Sequence, residues 1–196
     1  QTTAHPVGLA LLAACSIAVF VVPKKYAAIP LSLMIMAIPS AQRIVIASID
    51  FSFVRILVMA TLTRALFKNE YFGLKRQPPD ILILIWMVWG IFSYGMLLGS
   101  FSGVLTRTGF MIDAVGAYFV GRIYLRSKED LVRLLKFIGF IAIPMLVFFS
   151  IERATGRNLF SEFGGVRKYT LIRDGRLRCQ GPFSHPIMAG VYWAVL

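Results

Sequence analysis

The sequence predicts an all-α protein, a polytopic bundle of transmembrane helices with about six full spans and the start of a seventh. Three observations carry that reading. Hydrophobic residues make up 58% of the 196 residues, and mean hydropathy is +0.74; soluble domains hold roughly 45–50% apolar residues even with glycine counted. The apolar residues come in long runs rather than at a 3.6-residue period, as expected where lipid forces every backbone group to pair within its own helix. Lys and Arg collect in alternate connections between those runs, the pattern by which membrane helices are oriented.

Val7 to Val22 is the first predicted span, stopped by Pro23-Lys24-Lys25. It lacks a basic segment before it and a small-residue cleavage site after it, so it reads as a span rather than a signal peptide. Tyr26 to Ile38 is a short second helix marked by Pro30 and Pro39, and Ser40 to Arg43 is a polar break. Ile44 to Phe67 reads as a third span that carries Asp50, Arg55 and Arg64. A lone charge at mid-bilayer costs a few kcal/mol, so such residues pair or face a protein interior. Asp50 and Arg55 are five apart, a poor same-face spacing, so each is expected to pair with another helix. A structural ion pair is favoured there over a substrate role; the start of this segment lying at the interface is the alternative.

Lys68 to Asp80 reads as a polar loop with Lys75, Arg76 and Pro78-Pro79, and Ile81 to Leu98 as a fourth span with Trp86 and Trp89. Gly99 to Gly109 is Gly/Ser-rich and reads as a loop, followed by a fifth span, Phe110 to Leu125, interrupted by Asp113 and ending at Arg122. Arg126 to Lys136 is the charged start of an amphipathic helix, with Ser127 as N-cap and Glu129-Asp130 in its first turn. Phe137 to Ile151 is a sixth span with a kink expected at Pro144, and Ile187 starts a seventh. The chain reads as one transmembrane domain over 1–196. Its start at Gln1 and its stop within an apolar run read as a fragment of a longer protein. No internal repeat or low-complexity tract is visible.

The loops with Lys24-Lys25, with Lys68, Lys75 and Arg76, and with Arg126, Lys128, Arg133 and Lys136 alternate, which places all three in the cytoplasm. The same alternation puts the segment 152–186 outside. That segment breaks the trend: Arg153, Arg157, Arg167, Lys168, Arg173, Arg176 and Arg178 face only Glu152, Glu162 and Asp174. Positive charge retained on that side implies an acidic ligand. Arginine grips phosphate through a planar, two-pronged fork.

Within this extracytoplasmic basic loop the candidate site is Arg173 to Gly190, RDGRLRCQGPFSHPIMAG. It places Arg173, Arg176 and Arg178 ahead of a Gly181-Pro182-Phe183 turn and His185-Pro186, at the edge of an apolar run. Chemistry on an anionic lipid head group is one reading; a connecting loop whose arginines rest among phospholipid head groups is the other. The net charge of +12 is spread between apolar runs, which points to membrane and anionic lipid rather than nucleic acid. Two cysteines, Cys15 and Cys179, suggest neither a disulfide framework nor a zinc site. With only His5 and His185, and no paired-carboxylate pattern, no metal and no cofactor are expected.

Arg176 to Gly190, RLRCQGPFSHPIMAG, resembles the O-antigen ligase and O-antigen polymerase family of bacterial inner-membrane proteins. In that family an arginine, a glycine, an aromatic and a polar residue before proline lead from an extracytoplasmic loop into a membrane helix. Ile49 to Val58 looks like the family's early helix. The run from Asp113 through Tyr118 and Arg122 to Glu129-Asp130-Leu131 looks like its middle. The resemblance covers roughly the N-terminal half of a family member and implies a fold like that of the polytopic GT-C glycosyltransferases. It implies metal-independent transfer of a glycan from undecaprenyl pyrophosphate at the periplasmic face, in O-antigen or exopolysaccharide assembly. The acceptor is lipid A core in ligases and another lipid-linked repeat in polymerases. Carried over by position, Arg178 matches the pyrophosphate-binding arginine best, with Arg176 and Arg173 behind it. Gly181 supports the turn. His185 stands where relatives have Asn or another polar residue, so turn or capping duty is preferred over general-base duty. The catalytic base is expected beyond residue 196. A transporter or flippase of lipid-linked glycan is the rival reading, motivated by Asp50, Arg55, Asp113 and Arg122 within or at the ends of spans.

Overall fold

A computed structural model describes residues 4–46 and 49–195. In order, the elements are α1 (Pro6–Val21), a 3-10 turn at Lys24–Tyr26, α2 (Ile29–Ala37), β1 (Arg43–Ile46), β2 (Ile49–Ser52) and α3 (Phe53–Phe67). After them come α4 (Pro78–Leu98), α5 (Phe101–Tyr124), α6 (Lys128–Thr155), a 3-10 turn at Leu159–Phe163, β3 (Leu171–Arg173), β4 (Arg176–Arg178) and α7 (Pro186–Val195).

The six-span bundle is corrected: among the described residues two helices are long and apolar enough to cross a membrane, α4, with 21 residues and an 18-residue stretch of mean hydropathy 2.2, and α6, with 28 residues and an 18-residue stretch of mean hydropathy 2.3. A span needs about 20 residues. α1, with 16 residues, α2, with 9, and α3, with 15, are too short; α5 has 24 residues but carries Arg107, Asp113 and Arg122 and is not apolar enough. The expected third span, Ile44 to Phe67, breaks at Ser52, whose Oγ accepts the Arg55 N–H at 3.1 Å and so caps α3. Ahead of that cap the chain doubles back as an antiparallel hairpin, with Arg43 opposite Ser52 and Val45 opposite Asp50. The all-α expectation is therefore corrected as well: two two-stranded hairpins, β1–β2 and β3–β4, accompany the helices. Asp50 finds its partner not on a helix but across the hairpin, where Arg43 Nη1 reaches Oδ2 at 3.0 Å.

Two further boundaries differ. The expected Gly99–Gly109 loop is mostly helix. Gly99, at φ 54°, ends α4, and Ser100 Oγ accepts the Gly103 N–H at 3.2 Å to start α5 only two residues later. The amphipathic start at Arg126 and the sixth span are one continuous α6. Ser127 and Asp130 close a reciprocal capping box at its N-terminus, and Pro144 sits inside without ending it.

The core lies among α1, α2, α3 and α5, with Val19, Met34, Leu57, Val58 and Val120 at 3% exposure or less. Gly116 lets α5 close on α3, since a Cβ there would collide with Val58. Gly90 does the same for α4 against Met111 of α5. Small residues at crossings are how membrane helices approach closely.

Three arginines within the helical bundle fork onto carboxylates. Arg55 on α3 forks onto Asp113 of α5 at 3.0 and 2.9 Å, the interhelical pair expected of Arg55. Asp80, third residue of α4, caps that helix and takes Arg122 at 2.9 and 3.0 Å and the Tyr118 hydroxyl at 2.7 Å. Arg64 is 2% exposed. It forks onto Glu70 at 3.0 and 2.9 Å and also donates to the Val19 and Val22 carbonyls at the end of α1.

The Tyr124 hydroxyl donates to the same Glu70 carboxylate at 2.7 Å. Burial opposes the charge on Glu70, but hydrogen bonds from Arg64 and Tyr124 outweigh it and hold the carboxyl below its ordinary 4.5. The folded value lies below the unfolded one, so the carboxylate's stabilisation is complete above pH 4.5 and fades as pH falls through the folded value. Glu70→Gln, which leaves a buried guanidinium unpaired, is expected to cost about 3–5 kcal/mol near neutral pH. Thermal unfolding in detergent should show the gap from the unmodified protein narrowing below pH 4.5. A gap independent of pH would contradict this account.

Candidate functional site

The segment after α6 is built from one buried carboxylate outward. Glu152 lies in the last turn of α6, where the helix dipole disfavours negative charge. It is nevertheless 1% exposed. Three donors compensate: Thr170 Oγ1 at 2.9 Å, the Gln180 N–H at 3.1 Å and the Gly181 N–H at 2.8 Å. Asn158, also buried, takes the other side of the same residue, its Nδ2 donating to the Gly181 carbonyl at 2.8 Å. Both polar groups of Gly181 are thus held by side chains. Gly181 itself has φ 55°, in the left-handed region, and a Cβ there would lie 2.5 Å from Phe149 Cε2. Only glycine satisfies both conditions.

This clamp fixes β4, which ends two residues before Gln180, and β3 pairs with it. Arg173 lies opposite Arg176, Ile172 opposite Leu177, and Leu171 opposite Arg178. Asp174 and Gly175 both have positive φ, 53° and 70°, the conformation that a two-residue Asp-Gly hairpin turn requires. Cross-strand partners and alternate residues share a face. The hairpin therefore gathers Arg173, Arg176 and Arg178, three residues singled out from sequence, on one face.

A fourth cation joins them. Arg153, next to Glu152 at the end of α6, lines one cleft with Arg178 and another with Arg176. The first cleft, about 480 Å³, runs between α6 and α7; beyond the two arginines and Cys179 its walls include Leu146, Phe149, Ile187, Ala189 and Trp193. The second, about 580 Å³, is bounded by Arg153, Gly175, Arg176 and Leu177. Arg153, Arg176 and Arg178 make no ion pair or side-chain hydrogen bond among the described residues. The loop's acids are occupied elsewhere: Glu162 with Arg157 at 2.6 Å, Asp174 with Arg173 at 3.7 Å on the surface, and Glu152 with backbone. Burial, and next the Glu152 charge, push the Cys179 thiol above its ordinary range, so the cleft presents a protonated thiol rather than a nucleophile.

His185 is exposed, and its Nδ1 accepts the Ile187 N–H at 3.2 Å, a capping contact at the start of α7. No group of three or more His, Cys, Asp or Glu placed to hold a metal occurs among the described residues. Sequence reasoning counted Glu152 and Arg153 only as loop charge and did not single out Asn158. The available signal was Glu152 itself, an acid closing an apolar helix at the end where the dipole opposes it.

The arrangement offers unpaired guanidinium groups at the open end of an apolar cleft, beside the end of a membrane-length helix. It suits a ligand with a phosphate head and an apolar tail. Comparisons with protein-family models, with curated proteins and with solved structures find no match for this chain.

Proposed function

We propose that this chain belongs to a multi-pass bacterial inner-membrane glycosyltransferase of the O-antigen ligase or polymerase type, and that it holds the undecaprenyl pyrophosphate of the glycan donor on the periplasmic side. The observation that carries the reading is the unpaired group Arg153, Arg176 and Arg178: Arg153 and Arg178 line the apolar cleft between α6 and α7, and Arg153 and Arg176 line the second cleft. The apolar walls suit the isoprenoid chain and the guanidinium groups suit the pyrophosphate.

In the reaction, the bond from the anomeric carbon to the pyrophosphate oxygen breaks, and its electron pair leaves with the pyrophosphate. An acceptor hydroxyl oxygen bonds to that carbon, and its proton passes to a base on the acceptor side. Arginines at the leaving oxygens meet the charge that grows there, a contribution that rises in the transition state and so accelerates the step. Pyrophosphate so neutralised needs no metal. These residues serve the donor, whereas lipid A core or a second lipid-linked repeat would occupy a separate acceptor site.

The test is reconstitution. The full-length protein in liposomes receives undecaprenyl-pyrophosphate glycan and either acceptor, with EDTA present, and glycan transfer and carrier release are followed. Metal-independent transfer is the expected result, and the productive acceptor separates ligase from polymerase. Intact passage of the glycan lipid across the bilayer without transfer would overturn the reading in favour of a flippase.

A further inference from the structure

Arg107 is the exception to the pairing rule in the helical bundle. Arg55, Arg64 and Arg122 each fork onto a carboxylate from another element. Arg107, on α5, has no carboxylate partner among the described residues, and its Nε is buried with no hydrogen-bond partner. The guanidinium instead lies between two rings, 5.5 Å from the Tyr94 centroid on α4 and 5.1 Å from that of Phe110. Its tip rests on α4: Nη2 is 3.6 Å from where a Cβ on Gly90 would stand. Arg107 thus does not extend toward the helix end. Gly90 is eight residues short of that end, a distance of about 12 Å along the axis at 1.5 Å per residue.

With α4 read as membrane-crossing, on which this inference rests, the guanidinium sits well inside a hydrocarbon layer of about 30 Å. A cation at that depth is costly without an anion, and ring faces compensate only part of the cost. A phospholipid phosphate lies outside the hydrocarbon and is poorly placed to reach it. A carboxylate carried on an apolar helix is well placed.

We infer that Arg107, flanked by Tyr94 and Phe110, is the docking point for a transmembrane helix that carries an Asp or Glu. A second copy of this chain is a poor candidate. Among the described residues Asp80 and Asp113 are already engaged by arginine and Glu152 by backbone, while Glu129 and Asp130 lie in the polar first turn of α6, away from mid-membrane. The occupant is a different apolar segment, with its acid near mid-membrane.

The test uses the full-length chain in zwitterionic nanodiscs and dansyl-labelled Leu/Ala helices of about 20 residues with a central Asp, Asn or Leu. Energy transfer from the protein's tryptophans reports binding. The Asp helix should bind about tenfold more tightly than the Leu helix, the size of a 1–2 kcal/mol interhelical polar contact. Arg107→Gln should erase that preference while helical content by circular dichroism is unchanged. Arg107→Glu should move the preference to a helix with a central Lys. If Arg107→Gln does not fold, Arg107→Lys takes its place, and a reduced but surviving preference is expected. Equal binding of Asp and Leu helices, or an Asp preference that survives Arg107→Gln, overturns the inference. So does loss of the preference when phosphatidylglycerol is added, an outcome that would make the anion a lipid phosphate. The measurement needs no glycan donor, so its failure is distinct from failure of the glycosyltransferase reading.

Discussion

Arg178→Ala is expected to lower glycan transfer by the reconstituted full-length protein at least about 10²-fold, the usual cost of removing one donor that faces a developing negative charge. Arg178 is the cation that both lines the apolar cleft and lies on the hairpin's arginine face. Its loss removes the contact nearest the tail-to-head junction of the proposed donor. Arg178→Lys should recover only part of the rate, because a point charge lacks the two-pronged fork. The fall should appear mainly in kcat rather than KM if the guanidinium meets charge that forms during bond breaking. Arg153, which shares a cleft with Arg178 and another with Arg176, should be coupled to both: a second substitution at Arg153 should cost less in Arg178→Ala than in the unmodified protein. Full activity in Arg178→Ala would remove the donor-site assignment.

Gly181→Ala is expected to destabilise the basic segment by about 2–4 kcal/mol, combining a left-handed conformation forced on a Cβ with overpacking of a filled site. The conflict is specific, since the new methyl carbon would meet Phe149 Cε2 at 2.5 Å and Cζ at 2.7 Å. The consequence spreads because Glu152 and Asn158 hold this one residue from both sides. Moving it undoes their hydrogen bonds together. Limited proteolysis should cut Gly181→Ala within 156–185 at protease levels that leave the unmodified protein intact. Phe149→Ala added to Gly181→Ala should restore part of the protection by giving the methyl room, leaving only the backbone strain. Equal protease resistance of Gly181→Ala and the unmodified protein would show that the clamp does not hold the segment.

How much of this was legible in the sequence depends on which signal each residue sends. Ser127 with Asp130 marks the start of α6, because caps are local and need no knowledge of the fold; Pro78-Pro79-Asp80 carries the same kind of signal but reads as loop, so α4 begins three residues before the expected Ile81. The arginines of the hairpin were legible as charge, and the Asp174-Gly175 turn lies between them in plain sequence. The span count was not legible. Ile44 to Phe67 looks like one apolar run, but Ile49–Ser52 alternates apolar and polar residues, and only the pairing with Arg43 gives Asp50 its place. The start of α5 was hidden by composition: glycine and serine at 99–103 suggest a loop, whereas one serves as stop, one as cap and one as a close-packed helix position. Glu152 was missed because charge was counted by loop and not weighed against the helix dipole.

The length of α6 bears on how the arginine face meets its surroundings. Its 28 residues reach about 42 Å at 1.5 Å per residue, beyond a hydrocarbon thickness of about 30 Å. The surplus is polar at both ends, with Lys128, Glu129 and Asp130 at one and Glu152 and Arg153 at the other. With α6 read as crossing a membrane, the helix end that carries the clamp is a short post standing out of the lipid, and the hairpin rides on it. Bilayer thickness then sets how far the guanidinium groups stand above the phosphate plane: a thicker membrane draws them down among the head groups, and a thinner one lifts them clear or tilts the post.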